Sequence, residues 1–235
     1  MRVPPHSRYF PPVEQADLNG VVAIGGRLSP RWLLDAYTHG IFPWPMADDD
    51  LPMIWCSPDP RGVIEFDAFH ASRRLLRTCR SGRFTVTCDQ DFAGVIHGCS
   101  TAPGRVDQTW LTRPMLAAYI RMFELGHAHS IEVWHEGQLA GGTYGLAIRG
   151  LFAAESKFYR VRDASKVALV HLVAHLRARG YRLLDIQQLT PHTASMGAIE
   201  IPRVEYLERL AAALAQPVTF GHRLESDAIF QSRPS

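Results

Sequence analysis

Lysine is nearly absent from this chain of 235 residues: of its 25 basic side chains, all but Lys157 and Lys166 are arginine. A bias of that size reflects genome composition, which makes the two surviving lysines, nine residues apart, worth attention. Cysteine is also scarce. Cys56, Cys79, Cys88 and Cys99 contain no C-x-x-C pair, which argues against a zinc ribbon or a thioredoxin-like redox motif. No apolar run approaches the ~18–20 residues needed to span a bilayer. The Pro-rich stretch from Met1 to Pro12 lacks the apolar centre of a signal peptide. The sequence therefore reads as a soluble, cytoplasmic protein with four free thiols. It has no internal repeat and no low-complexity block.

The 46% of hydrophobic residues is enough to fill a sizeable core. Residues 1–61 are rich in Pro and Gly and carry one convincing helix, with Ser29 as N-cap and Pro30 at its first position. They are expected to form a small domain with little core of its own, docked on residues 62–235. In the longer part, helices are predicted over 69–80, 89–98 and 113–126. Strands are predicted over 84–88, 130–135, 139–148 and 151–154. Asp163 is expected to cap a further helix that stops at Gly180; a strand over 181–187 and a helix over 203–214 follow. Antiparallel strands, a helix and a returning strand describe an α+β fold with a mixed sheet.

The returning strand carries the most telling residues. Alternation puts Asp185 and Gln187 on one face, where a bare carboxylate is costly without partners. Two readings stay open: a buried Asp bonding a loop backbone, or a polar pair holding a reacting group. Glu155, after the apolar run Leu151 to Ala154, is either a surface residue or part of that site. Pro191 to Ala198 is a small-residue loop whose hydroxyls, Ser195 among them, either cap a helix or face a ligand. A Ser195–His192–Asp185 triad lacks the Gly-x-Ser-x-Gly elbow such a nucleophile needs. Between Asp67 and Asp89 there is no acid, yet Arg73, Arg74, Arg77, Arg80 and Arg83 fall there. Three of them share a helical stripe, and the face reads as a phosphate-contacting surface. Trp44 and Trp110 sit in turns where they could line a pocket; Tyr37 and Tyr119 read as core candidates.

Nine segments in order resemble the bacterial leucyl/phenylalanyl-tRNA–protein transferases. They are Gly25 to Pro30, Gly40 to Trp44, Ser57 to Arg61, Thr109-Trp110, Gly126 to Trp134, Gly141 to Gly145, Ala164-Ser165-Lys166, Asp185-x-Gln187 and His192 to Ala198. The resemblance implies a small N-terminal α+β domain and a C-terminal domain with the fold of the acyl-CoA N-acyltransferases. It implies transfer of Leu or Phe, with Met as an alternative donor, from aminoacyl-tRNA to the α-amine of proteins beginning with Arg or Lys, which marks them for degradation. No cofactor and no metal are implied, and the enzyme is expected to be a monomer. By position, Asp185 would orient Gln187, with Glu155 beside the aminoacyl group. The arginines at 73–83 would contact tRNA. Tyr37, Trp44, Trp110, Tyr119 and Ser195 would surround the terminal adenosine and the acceptor peptide.

This sequence departs from the family pattern where Thr143 and Lys157 replace apolar residues of the donor pocket. Phe152, Leu169, Leu172, Leu176 and Leu184 are expected to keep the rest of that pocket greasy. Altered donor specificity is therefore an alternative. Two others are an acyl-CoA N-acyltransferase, whose nearest phosphate-loop candidate, Gln138 to Thr143, falls within a predicted strand and ends in Thr, and a non-catalytic RNA-binding module, which leaves Asp185 and Gln187 on one strand face without a reason.

Overall fold

The structure, a computed structural model, describes residues 6–44, 52–101 and 111–226. Near the N-terminus, β1 (Val21–Ile24), β2 (Phe42–Trp44) and β3 (Ile54–Cys56) form an antiparallel sheet in the order β1-β3-β2, with helix α1 (Pro30–Thr38) between β1 and β2. The short Pro- and Gly-rich strands escaped sequence analysis. Pro43 is tolerated in β2 because that strand lies at the sheet edge. Ser29 occupies the N-cap position of α1, but its side chain makes no capping bond.

A seven-stranded sheet follows, in the order β10-β4-β9-β8-β7-β6-β5. Its first strand is β4 (Arg61–Ile64), so the larger sheet begins one residue before the expected boundary at 61/62. After it come α2 (Arg73–Arg80), β5 (Thr85–Cys88), α3 (Phe92–Thr101), α4 (Arg113–Glu124), β6 (Ala128–His135), β7 (Gln138–Ile148), β8 (Leu151–Tyr159), α5 (Ala164–Arg179), β9 (Leu183–Gln187), α6 (Pro191–Ala194), β10 (Ala198–Ile201) and α7 (Arg203–Leu214). Among these strands the pair β8–β9 is parallel, and α5 supplies the crossover that parallel neighbours require. The molecule is α+β, with a mixed sheet.

Several elements differ from expectation. α2 starts at Arg73, where Ser72 accepts a capping bond from the Leu75 amide at 3.2 Å. β8 continues to Tyr159, well past Ala154, because Ser156 to Tyr159 pair with Gly141 to Tyr144 despite their polarity. The segment after β9 is a one-turn helix closed by a Thr190/Thr193 capping box, then a strand. The four cysteines are not disulfide-bonded.

Three apolar clusters hold the layers together. The first joins Leu33, Tyr37, Ile41 and Trp55 of the N-terminal part to Val95, Met115, Tyr119 and Leu146, so the small sheet shares its core with the large one. The second packs Val167, Leu172 and Val173 of α5 against Ile131, Phe152 and Leu184. The third seats α7, through Tyr206 and Leu210, on Val63, Leu151 and Leu183. Each such side chain taken fully out of water contributes about 1.5–3 kcal/mol.

Two β-bulges flank the middle of the large sheet, each opposite a glycine. Tyr144 pairs with Ser156 and Gly145 with Ala154, which leaves Glu155 as the extra residue. Gly62 pairs with Gln187 and Val63 with Asp185, which leaves Ile186 as the extra residue. A Cβ on Gly145 would fall against the Ala153 carbonyl oxygen and 2.6 Å from Phe152 Cε1; one on Gly62 would lie 2.8 Å from the Gln188 backbone.

Candidate functional site

Asp185, wholly buried at 0% exposure, is saturated with donors. Arg61 grips it with two guanidinium nitrogens, Nε to Oδ1 at 3.0 Å and Nη2 to Oδ2 at 2.7 Å. Tyr206 donates to Oδ2 at 2.8 Å, and the Gln187 backbone amide donates to Oδ1 at 2.9 Å. Arg61 is 1% exposed. It lies between the rings of Phe42 and Tyr206, 4.7 and 4.4 Å from their centroids, and gives its remaining arm to the Gly40 carbonyl at 3.0 Å. A buried ion pair offsets its desolvation only when it is fully bonded in this way. The lock sets the conformation of Gln187, whose φ of 56° a non-glycine residue rarely adopts. Gln187 then donates from Nε2 to Glu155 Oε1 at 3.0 Å.

Glu155 also meets Tyr37 Oη at 2.7 Å on Oε1 and Tyr119 Oη at 2.9 Å on Oε2, while the two phenol oxygens are 2.7 Å apart. Burial raises the Glu155 carboxyl to about 7; phenol hydrogen bonds donated to its charged form and Arg61 pull it down, and Asp185 pushes it up. Burial, and after it the Glu155 charge, raise both phenols well above the ordinary tyrosine value.

β8 and β9 pair only as far as Ala153 and Asp185. Beyond that point a cavity of about 190 Å³ opens, with Ala154 to Lys157 on one side and Ile186 to Gln188 on the other. Glu155 and Gln187 lie in its wall. Phe42, Ile64 and Leu169 add apolar surface, and Thr143, Thr190 and Thr193 add hydroxyls. This volume is below the roughly 300–1,000 Å³ of pockets for drug-sized ligands, and suits one amino-acid side chain.

Two family profiles cover most of the chain. Residues 63–211 match leucyl/phenylalanyl-tRNA protein transferase, and residues 26–59 match the N-terminal domain of the same protein. The chain belongs to that family. It is 49% identical over 211 residues to the leucyl/phenylalanyl-tRNA–protein transferase of Syntrophotalea carbinolica, covering 89% of this chain and 91% of the relative. It is 46% identical over 230 residues to that of Nitratidesulfovibrio vulgaris, covering 97% of each. Among solved structures, the L-PGS of Bacillus licheniformis matches at a TM-score of 0.41 and 10% identity, over 71% of this chain and 55% of that one. A GCN5-related N-acetyltransferase from Kribbella flavida matches at 0.34 and 10%, over 74% and 61%. Likenesses this remote carry no weight for function.

Not every residue the leucyl/phenylalanyl-transferase pattern singled out meets at the cavity. Thr143 and Lys157, register partners on β7 and β8, line it with Leu169, and Thr143 Oγ1 donates to the Ser156 carbonyl at 3.0 Å. Phe152, Leu172, Leu176 and Leu184 are buried in the second apolar cluster and do not form its wall. Trp44 stands at the wall, 39% exposed. Tyr37 and Tyr119 are buried in the core, with their hydroxyls on Glu155. Ser195 is exposed and bonds the His192 carbonyl of its own turn at 2.7 Å. Trp110 lies outside the described residues.

All five arginines at 73–83 are exposed. Beside the stripe, Arg74 does meet an acid: Asp163 makes no side-chain capping bond to the helix it was expected to cap and takes both arms of Arg74, at 3.0 and 3.1 Å. Arg83 lies over the ring of Phe84. Sequence analysis missed the roles of Arg61 and Tyr206. Arg61 closes the Ser57 to Arg61 segment and was noticed only as part of it; Tyr206 had no signal beyond its place in a helix.

Proposed function

We propose that this transferase moves an amino acid from the ester of its tRNA to the α-amine of a protein beginning with Arg or Lys. The observation that carries this reading is the convergence of Gln187 and Glu155 at the head of a side-chain-sized cavity, with Gln187 set by a saturated Asp185. An aminoacyl ester is already activated, so the protein must chiefly hold amine and carbonyl in register. Gln187 and Glu155 offer an amide and a carboxyl at one point for that purpose. Asp185 has no accessible lone pair for a proton and acts as a positioning residue. Arg73, Arg77, Arg80 and Arg83 would follow the tRNA backbone, with Arg74 fixed by Asp163. The enzyme works as a cytoplasmic monomer and its products enter N-terminal-residue degradation. Among the described residues no helix is long and apolar enough to cross a membrane.

The coenzyme A reading loses its phosphate loop, because Gln138 to Thr143 runs inside β7 and opens no helix. A second reading of donor choice is favoured by the cavity wall. Thr143, Lys157, Thr190 and Thr193 make it more polar than Leu and Phe require, which suits a donor side chain with an acceptor atom, such as Met.

The test is transfer from a panel of radiolabelled aminoacyl-tRNAs to a peptide with N-terminal Arg. Transfer of Leu or Phe supports the main reading. Leading transfer of Met or a more polar residue, reverting in Thr143→Met with Lys157→Met, supports the second. No transfer from any donor refutes both.

A further inference from the structure

Three oxygen–oxygen contacts close a triangle at the head of the cavity: Tyr37 to Glu155 Oε1 at 2.7 Å, Tyr119 to Glu155 Oε2 at 2.9 Å, and Tyr37 to Tyr119 at 2.7 Å. All three are hydrogen-bond distances, so each side needs one hydrogen. The two phenols bring two. With Glu155 as a carboxylate, one side is left without a hydrogen, and two oxygens face each other lone pair to lone pair in a buried site. With the carboxyl protonated, three hydrogens meet three sides. Gln187 gives the ring a direction. Its Nε2 reaches Oε1 at 3.0 Å, so Oε1 is the carbonyl-type oxygen, accepting from Gln187 and Tyr37. Oε2 then carries the proton and donates to Tyr119, and Tyr119 donates to Tyr37.

We propose that Glu155, Tyr37 and Tyr119 form one closed ring of three hydrogens that keeps Glu155 neutral at rest, ready to act as an acid toward the leaving ribose oxygen. The resting half of this inference stands on the oxygen triangle; the acid role rests on the transferase reading above. The step balances. The amine nitrogen bonds the ester carbon, the carbon–oxygen bond to the ribose breaks, and the Glu155 proton goes to the departing oxygen. The surplus proton on the new amide nitrogen then returns to the carboxylate and closes the ring. Of the three ring members, Glu155 alone lines the cavity, so it is the one that exchanges protons with substrate. While it is charged, both phenols donate to it and their mutual contact opens.

The charged neighbours leave this preference in place. Asp185 on β9 and Arg61 on β4 push Glu155 in opposite directions and are paired with each other, and Lys157 follows two residues along β8. Burial drives the carboxyl the same way as the hydrogen count does, whereas two phenols that only donate to the charged form would drive it the other way, and titration separates the two.

The experiment is the titration of the Glu155 carboxyl by carbon-13 NMR in the unliganded full-length protein and in Tyr37→Phe and Tyr119→Phe, each of which keeps the aromatic volume. Removing either hydroxyl ends the shortage of hydrogens in the charged state. The ring therefore predicts that the midpoint falls by about half a unit or more, on the scale of one neutral hydrogen bond. If the phenols serve only as donors to a carboxylate, the midpoint rises; a rise or no change overturns the proposal. A second measurement needs no tyrosine variant: the infrared difference between wild type and Glu155→Gln at pH 6 must contain a protonated-carboxyl band, and its absence overturns the ring. Neither reading uses transfer activity. A lowered midpoint in a protein that transfers nothing would leave the ring standing and remove the transferase reading.

Discussion

Asp185 and Arg61 illustrate how a single residue can matter without touching substrate. Removing one member of a buried, fully bonded pair leaves the other charge uncompensated, at a cost of about 3–5 kcal/mol, whereas replacing both by apolar groups is often neutral. Asp185→Asn should therefore lower stability to urea by an amount of that order and slow transfer at least about tenfold. Arg61→Met combined with Asp185→Leu should regain most of the stability and none of the transfer, because nothing then holds the Gln187 backbone. A double variant that transfers at the wild-type rate would show that the lock does not position Gln187. Glu155 makes a pH prediction. Its folded value, about 7, lies above the ordinary carboxylate value of 4.5, so the folded chain keeps a proton that the unfolded chain releases. The sign follows: Glu155 lowers stability as pH rises from 4.5 to 7, and has no effect below that window. Relative to wild type, Glu155→Gln should gain stability across that interval in urea midpoints measured at several pH values. A constant difference would place the proton elsewhere.

At the scale of elements, the two bulges and α2 invite separate tests. Gly145→Ala forces a methyl against the Ala153 carbonyl beside the inserted Glu155. Overpacking of this kind costs about 1–3 kcal/mol, and transfer should fall further than stability alone explains. On α2, Arg73→Glu with Arg77→Glu should weaken aminoacyl-tRNA binding and flatten its salt dependence, since fewer counterions are released. Arg74→Ala should mainly loosen the link to Asp163 and change the salt slope less. Equal slopes for wild type and the double reversal would remove this face from the tRNA path. Elements also mark where sequence reasoning succeeds. α4, α5, α7, β6 and β7 are long and strongly patterned, and their limits fall within two residues of expectation. β1 to β4 are three or four residues long, and their pairing is decided by distant strands. The second half of β8 was invisible because its partner, not its own polarity, makes it a strand.

The whole molecule explains what was hidden at the site. Asp185 and Gln187 were legible as a polar pair on a strand expected to be packed, and Glu155 as a carboxylate after an apolar run. Their partners were not, because Arg61 and Tyr206 stand 124 and 21 residues from Asp185, and Tyr37 and Tyr119 stand 118 and 36 from Glu155. Local pattern carries no information about such meetings. Because the first apolar cluster joins both parts of the chain, the small N-terminal part is a component of the site through Tyr37 of α1, and not an appendage.

The reach of the Asp185 lock has a consequence for the protein's birth. Chains are made from the N-terminus at about 5–20 residues per second, and the lock closes only when Tyr206, in α7, has joined Arg61 and Asp185. A nascent chain emerging among aminoacyl-tRNAs therefore lacks an organised Gln187 until residue 206 has been made and has left the exit tunnel. Ribosome-bound chains stalled before residue 206 should be inert toward donor and acceptor, and chains stalled far enough beyond it for α7 to leave the exit tunnel should gain activity in one step.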